Sequence, residues 1–262
     1  MRRYFKIFIA LISISSKRYL ENRANVFMRV SGGIFSLIVS IYFIEIIFSF
    51  TSNIGGWTKY EVLLLTGLFR IITSVFMFLC QRGIYDIPEL IKGGYLDLIL
   101  VSPVNSQFYL SFRRSKPYEI LSAPAGIFLI IYSLSKLNLT FSILDFLLLF
   151  IGLLMGIIIL YSIYFMLATI AIWLIQVSAL SNLYHIIVQP LSIPTDILGK
   201  GVSFVLTFII PLGVVLTVPL QVFLHKISAS SVFISVIFAV LFLYLSTRFW
   251  KFALRHYTSA SS

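Results

Sequence analysis

For fifty residues, Phe146 to Thr195, the chain carries no Lys, Arg, Asp or Glu. As one helix this run would be about 75 Å long, more than twice the hydrocarbon thickness of a bilayer, so the chain must turn inside it. The polar patch of Gln176, Ser178, Ser181 and Asn182 is the natural place. That predicts a long span, about Ile143 to Leu174, and a short one, about Val177 to Ser192. An uncharged run of this length belongs in lipid, and the composition agrees: 60% of the residues are hydrophobic and 11% are charged. We therefore expect one integral membrane domain over residues 1–262.

The same test finds the other spans. Val26 to Phe50 would reach about 37 Å as helix, enough to cross with tilt. Tyr60 to Cys80 brings the chain back after a tight loop with Gly55-Gly56, and Tyr118 to Lys136 is the third crossing. A last apolar run covers about Ser228 to Trp250. Between them lies Pro190 to Leu224, interrupted by Pro190, Pro194, Pro211 and Pro219, which suits broken half-helices better than a straight span.

The net charge of +11 would suggest nucleic acid in a soluble protein. Here the basic residues sit between apolar segments, where membrane orientation explains them, and no soluble basic domain exists, so no nucleic-acid partner is expected. Arg2, Arg3, Lys6, Lys17, Arg18, Arg23 and Arg29 mark the amino end as cytoplasmic; Arg248, Lys251 and Arg255 mark the carboxyl end likewise. Both ends inside requires an even number of crossings. Seven apolar runs therefore reduce to six, with residues 190–225 as a re-entrant outer element. An alternative keeps Phe141 to Gln176 as one very long helix and lets Val202 to Leu224 cross.

Residues 1–25 form an amphipathic interfacial helix, with Arg3, Lys6, Ser13 and Lys17 on one side and Phe5, Phe8, Ile12 and Tyr19 largely on another. The longest polar passage between spans is 81–118, QRGIYDIPELIKGGYLDLILVSPVNSQFYLSFRRSKPY. Asp86 and Pro88 stand where a short helix starts, Glu89 reinforces its positive end, and Gly93-Gly94 stop it. Arg113, Arg114 and Lys116 mark a cytoplasmic edge. This is a compact knob under the bilayer.

Chemistry-bearing motifs are sparse. GxxxxGK[ST], HExxH and GxSxG do not occur, and His185, His225 and His256 fall on separate segments, so no catalytic, cofactor or metal site is expected. Glu45 and Arg70 are the charges within spans; adjacent helices put an ion pair between them within reach. Gly152 and Gly156 form a small-xxx-small pair that lets a second helix approach closely. With so few intramembrane acids, an ion-coupled secondary transporter is the lesser alternative, and a membrane-embedded lipid-modifying enzyme lesser still.

Four passages carry a family likeness: GGYLDLILVSPVN (Gly93 to Asn105), PLSIPTDIL (Pro190 to Leu198), FIIPLGVVLTVP (Phe208 to Pro219) and FWKFALRHYTSAS (Phe249 to Ser261). In this order, after a basic amphipathic amino end, they resemble the permease subunits of type 2 ABC exporters. The nearest likeness is to six-span permeases often encoded as a pair beside one ATPase. The resemblance implies an all-α fold of six spans with a connecting helix, a coupling helix and a re-entrant outer element before the last span. It also implies cytoplasmic ATPase subunits that carry ATP and Mg, a second permease copy or sister permease, and a place in the bacterial inner membrane. By the same likeness Asp86, Ile87, Pro88, Glu89, Leu90, Gly93 and Gly94 contact the ATPase. The substrate implied is amphiphilic: a lipid, peptide, drug or glycan.

Overall fold

The computed structural model describes residues 2–20, 23–174 and 188–258. Regular structure among the described residues is helical. α1 (Arg2–Leu20) is followed by α2 (Arg23–Phe50) and α3 (Lys59–Phe76). A π-helical turn, Met77–Gln81, carries α3 into α4 (Arg82–Tyr85) and α5 (Ile87–Lys92). Two further short helices, α6 (Leu96–Leu100) and α7 (Ser106–Phe112), precede a 3₁₀ segment, Pro117–Ser122, that feeds α8 (Ala123–Lys136). α9 (Ile143–Thr169) continues through a 3₁₀ turn to Ile172. The last quarter holds α10 (Lys200–Phe204), α11 (Leu212–Val215), α12 (Thr217–Phe223) and the long α13 (Val232–Leu254).

Among the described residues, five helical stretches are long and apolar enough to cross a membrane: Val30–Phe50, Lys59–Lys92, Pro117–Lys136, Ile143–Ile172 and Ala229–Leu254. The expected turn at Gln176, Ser178, Ser181 and Asn182, and most of the expected span from Val177 to Ser192, lie outside the described residues.

Two glycine contacts set the helix packing. A Cβ on Gly67 of α3 would lie 2.9 Å from the Gly126 carbonyl of α8, and one on Gly126 would lie 2.7 Å from the Gly67 carbonyl. No larger residue allows the backbones this close. Gly152 and Gly156 of α9 do the same work against a different neighbour. A Cβ on Gly152 would meet Pro219 at 2.7 Å, and one on Gly156 would run into the Val215 backbone. The small pair thus seats the proline-broken segment of its own chain.

That segment is broken as its prolines require. Pro190 lies in a 3₁₀ turn, Pro194 caps another, Pro211 precedes α11 and Pro219 sits in the first turn of α12. None of these pieces is long enough to cross on its own. Both arms of the segment meet at one end of the protein. Trp57 donates its indole N–H to both Asp196 oxygens at 3.1 and 2.9 Å, Gln221 donates to Asp196 at 2.9 Å, and Lys226 reaches the Gly56 carbonyl at 2.7 Å.

Direction follows from ring contacts. Phe165 meets Trp250 at 5.3 Å, and Trp173 stacks on Phe249 at 5.8 Å, while the earlier turns of both helices flank Val214 and Val215. α9 and α13 therefore run parallel, and Lys226, just before α13, lies at the Trp57 end. At the opposite end Arg3 donates to the Pro103 carbonyl at 3.3 Å, and the Tyr257 phenol lies against Asp97. The first described helix thus begins, and the last ends, beside the 81–118 passage. α1 packs Phe8 edge-on to Phe112 at 5.1 Å and buries Ser15, but leaves Phe5 65% exposed, so Phe5 is not on its protein-facing side.

Candidate functional site

The stretch Lys59–Lys92 is 34 residues, about 50 Å of near-continuous helix against a hydrocarbon core of about 30 Å. Its far end must project beyond lipid, and α5 is that end. The helix stops after Lys92: Gly93 caps it, donating to the Glu89 carbonyl at 2.9 Å, and Gly94 turns the chain at φ 70°, where a side chain would be strained. α6 then doubles back, and Asn105 caps α7 by accepting from the Phe108 N–H at 3.0 Å.

Asp86 holds this knob together. Its carboxylate is 2% exposed and meets three guanidinium groups: Arg82 at 3.0 Å, Arg114 at 2.8 Å and Arg113 at 3.5 Å. A buried anion is tolerable only with such partners. Burial pulls the Arg113 guanidinium's pKa down, and the Asp86 carboxylate partly restores it. The hairpin closes at Gly83, where any Cβ would collide with the Leu110 and Ser111 carbonyls. Lys116 donates its backbone N–H to Phe78 in the π turn at 3.0 Å.

The expected contact residues separate into two groups. Asp86, Ile87, Pro88 and Leu90 are buried inside the knob and cannot touch a partner's surface in this conformation. Asp86 also makes no cap hydrogen bond; its backbone is already helical, at φ −78° and ψ −9°, and its side chain is committed to arginine. Glu89 and Gly93 are exposed and Gly94 is half-buried. The exposed surface is completed by residues the sequence did not single out: Lys92, Tyr95, Leu98 and Val101, the last three 62%, 74% and 85% exposed. Lys92 ends α5, Tyr95 precedes α6, Leu98 is on the outward side of α6 and Val101 follows it, with Leu96 and Ile99 turned inward. A seven-residue run that is almost wholly apolar carries no periodic signal to separate those faces.

The knob is fastened to the spans at several points. Trp250 of α13 donates to Ser106 at 3.0 Å and Gln107 donates to Ser246 at 3.3 Å. Ser111 and Tyr161 of α9 share a hydrogen bond of 2.9 Å. On the carboxyl-terminal side, burial first and the Asp97 carboxylate second push the Tyr257 phenol's pKa up.

Inside the spans the expected Glu45–Arg70 ion pair does not form. Glu45 pairs with Lys59 at 3.0 Å, and Arg70 donates to the Ser36 carbonyl at 2.8 Å and to the Ser36 and Ser40 hydroxyls at 3.1 and 2.9 Å. The antiparallel register of α2 and α3 is the reason. It sets Arg70 level with Ser36 and Ser40, five to nine residues along α2 from Glu45, an axial offset of about 7–14 Å. Among the described residues no cluster of His, Cys, Asp and Glu could hold a metal ion.

No curated protein matches this chain. The sequence pattern of the ABC-2 family transporter proteins matches residues 34–261, from within α2 to beyond α13, and so takes in the knob, the proline-broken segment and every long apolar helix. The chain belongs to the ABC-2 transporter family, and is an integral membrane permease of an ABC transporter.

Proposed function

We propose that this permease is one half of an exporter whose power comes from separate cytoplasmic ATPase subunits. The observation that carries the reading is the knob: a carboxylate-centred hairpin, fastened to α9 and α13, that presents Glu89, Lys92, Tyr95, Leu98 and Val101 outward. A surface of exposed aromatic and aliphatic side chains rimmed by charge has the composition of a protein-docking patch. Closure of an ATPase pair on bound ATP and Mg would push the knob and rock the attached spans.

In this reading the knob faces the cytoplasm, with both termini beside it, in keeping with the basic residues at 2–29, 113–116 and 248–255. The five long apolar helices and the return between α9 and α13 make six passages. The segment from Pro190 to Lys226 is the re-entrant outer element, its arms gathered at the Trp57 end. The permease works as a dimer with itself or a sister chain, in a bacterial inner membrane, and moves an amphiphilic substrate along the subunit interface.

The test is coupling. Co-purified with its ATPase in proteoliposomes, the permease should support ATP-dependent transport, and Glu89→Lys should abolish it while leaving the protein inserted. Transport by the permease with no ATPase present would end this reading.

A further inference from the structure

Arg70 is the one charge deep within a span that no carboxylate neutralises among the described residues. It lies roughly 16 Å along α3 from Lys59, near the middle of a hydrocarbon core about 30 Å thick. All its hydrogen bonds run from Nη2 to neutral oxygens of Ser36 and Ser40. The buried Nε has no hydrogen-bond partner among the described residues. A guanidinium at this depth ordinarily faces a counter-charge or a water-filled site.

Beside it is a cavity of about 260 Å³ whose lining includes the hydroxyl-bearing residues Ser36, Ser40, Thr66, Thr73, Ser74 and Ser122. Those hydroxyls are already committed: Ser40 donates to the Ser36 carbonyl, Thr66 to Val62, and Thr73 to Phe69. Of these, the Ser36 and Ser40 hydroxyls hold the guanidinium without cancelling its charge. Gly32 and Gly33 of α2 complete the lining on that side, and a Cβ on Gly32 would meet nothing within 4 Å. A second cavity, of about 300 Å³, shares Ser40, Thr66 and Ser192 with the first and is otherwise apolar, walled by Phe43, Ile44, Ile47, Ile193 and Ile197. A cationic chamber thus adjoins a greasy one.

From this pairing we infer that the two cavities together bind an anionic amphiphile, its phosphate or carboxylate oxygens on Arg70 and its hydrocarbon chain in the apolar chamber. Charge-assisted hydrogen bonds to an oxyanion would occupy the free donors of Arg70 and neutralise it. Shared walls let one molecule fill both spaces. The inference names a substrate class for the transport proposed above and rests on that reading only for the transport step. Binding is a property of this chain alone.

The test uses the full chain in phosphatidylcholine nanodiscs, with spin-labelled phosphatidic acid and spin-labelled phosphatidylcholine as probes, and reads the immobilised fraction of each. The wild type should hold phosphatidic acid about tenfold more strongly than phosphatidylcholine, the scale of one charge-assisted contact. Arg70→Gln should remove the preference. Thr66→Asp supplies a carboxylate four residues before Arg70 on the same helix and should remove it too, while pairing with the arginine in a folded protein. Equal retention of both lipids by the wild type, or an intact preference in both variants, overturns the inference. Inorganic phosphate that displaces the lipid at equal concentration would make this a soluble-anion site and overturn the amphiphile assignment. No ATPase enters the measurement, so its failure is separate from a failure of coupling.

Discussion

Lys226 and Glu61, 165 residues apart, meet at 2.7 Å at the end of the molecule opposite the knob. The ammonium also lies 4.3 Å from the centre of the Trp57 ring, and Glu61 caps α3 by accepting from the Thr58 N–H at 2.7 Å. One lysine therefore closes the loop after α2 onto the chain leaving α12. Lys226→Met should leave Glu61 buried and half-satisfied, at a cost of about 1–3 kcal/mol. Thermal unfolding in detergent should show the loss, and Glu61→Gln, which keeps an oxygen for the cap, should lose less.

Asp86→Ala removes the carboxylate from among three arginines. Like charges then face one another in a partly buried hairpin, and we expect a loss of about 2–4 kcal/mol. Limited trypsin digestion should cut at Arg113 or Arg114 much sooner than in the wild type. Asp86→Asn, which keeps shape without charge, should fall between.

Gly83→Ala tests the same hairpin by volume alone. Its methyl group would strike the Leu110 and Ser111 carbonyls, and separating α4 from α7 should cost about 1–3 kcal/mol. Gly32→Ala, where the added atom meets nothing, should leave the melting temperature unchanged within the scatter of surface substitutions.

Leu98→Asp places a charge at a position 74% exposed, so the fold should tolerate it with a change of about 0.5 kcal/mol or less. ATPase binding, read by co-purification, should weaken by about tenfold or more if this side chain is buried on docking. An undiminished complex would remove α6 from the contact surface.

The sequence shows the long helices plainly because a bilayer demands some twenty apolar residues in a row, and runs such as Ile143 to Ile172 meet that demand without help from any neighbour. Gly93-Gly94 as a helix stop and the four prolines as breaks are legible for the same reason: each acts on its own backbone. Partners are another matter. Asp86 reads as a cap beside Pro88, but two of the three arginines that claim it come 27 and 28 residues later, brought back by a hairpin whose closure depends on Gly83. The expected pair of Glu45 with Arg70 fails by a helix register that spacing alone does not fix. Lys59, at the very start of α3, is simply nearer. Trp57 and Asp196 stand 139 residues apart, and nothing local to either announces the other.

The π turn at Met77–Gln81 has a mechanical consequence. Such a turn widens the helix and frees a carbonyl, a common origin of bending. Here the Phe78 carbonyl is taken up by the backbone of Lys116, from the far side of the hairpin. The splint comes from the very segment that leads into α8, whose backbone touches α3 again at Gly126. Under the coupling proposed above, a thrust delivered to the knob would be shared between two columns braced at two heights, and the pair would tilt as a strut instead of folding at its weakest turn.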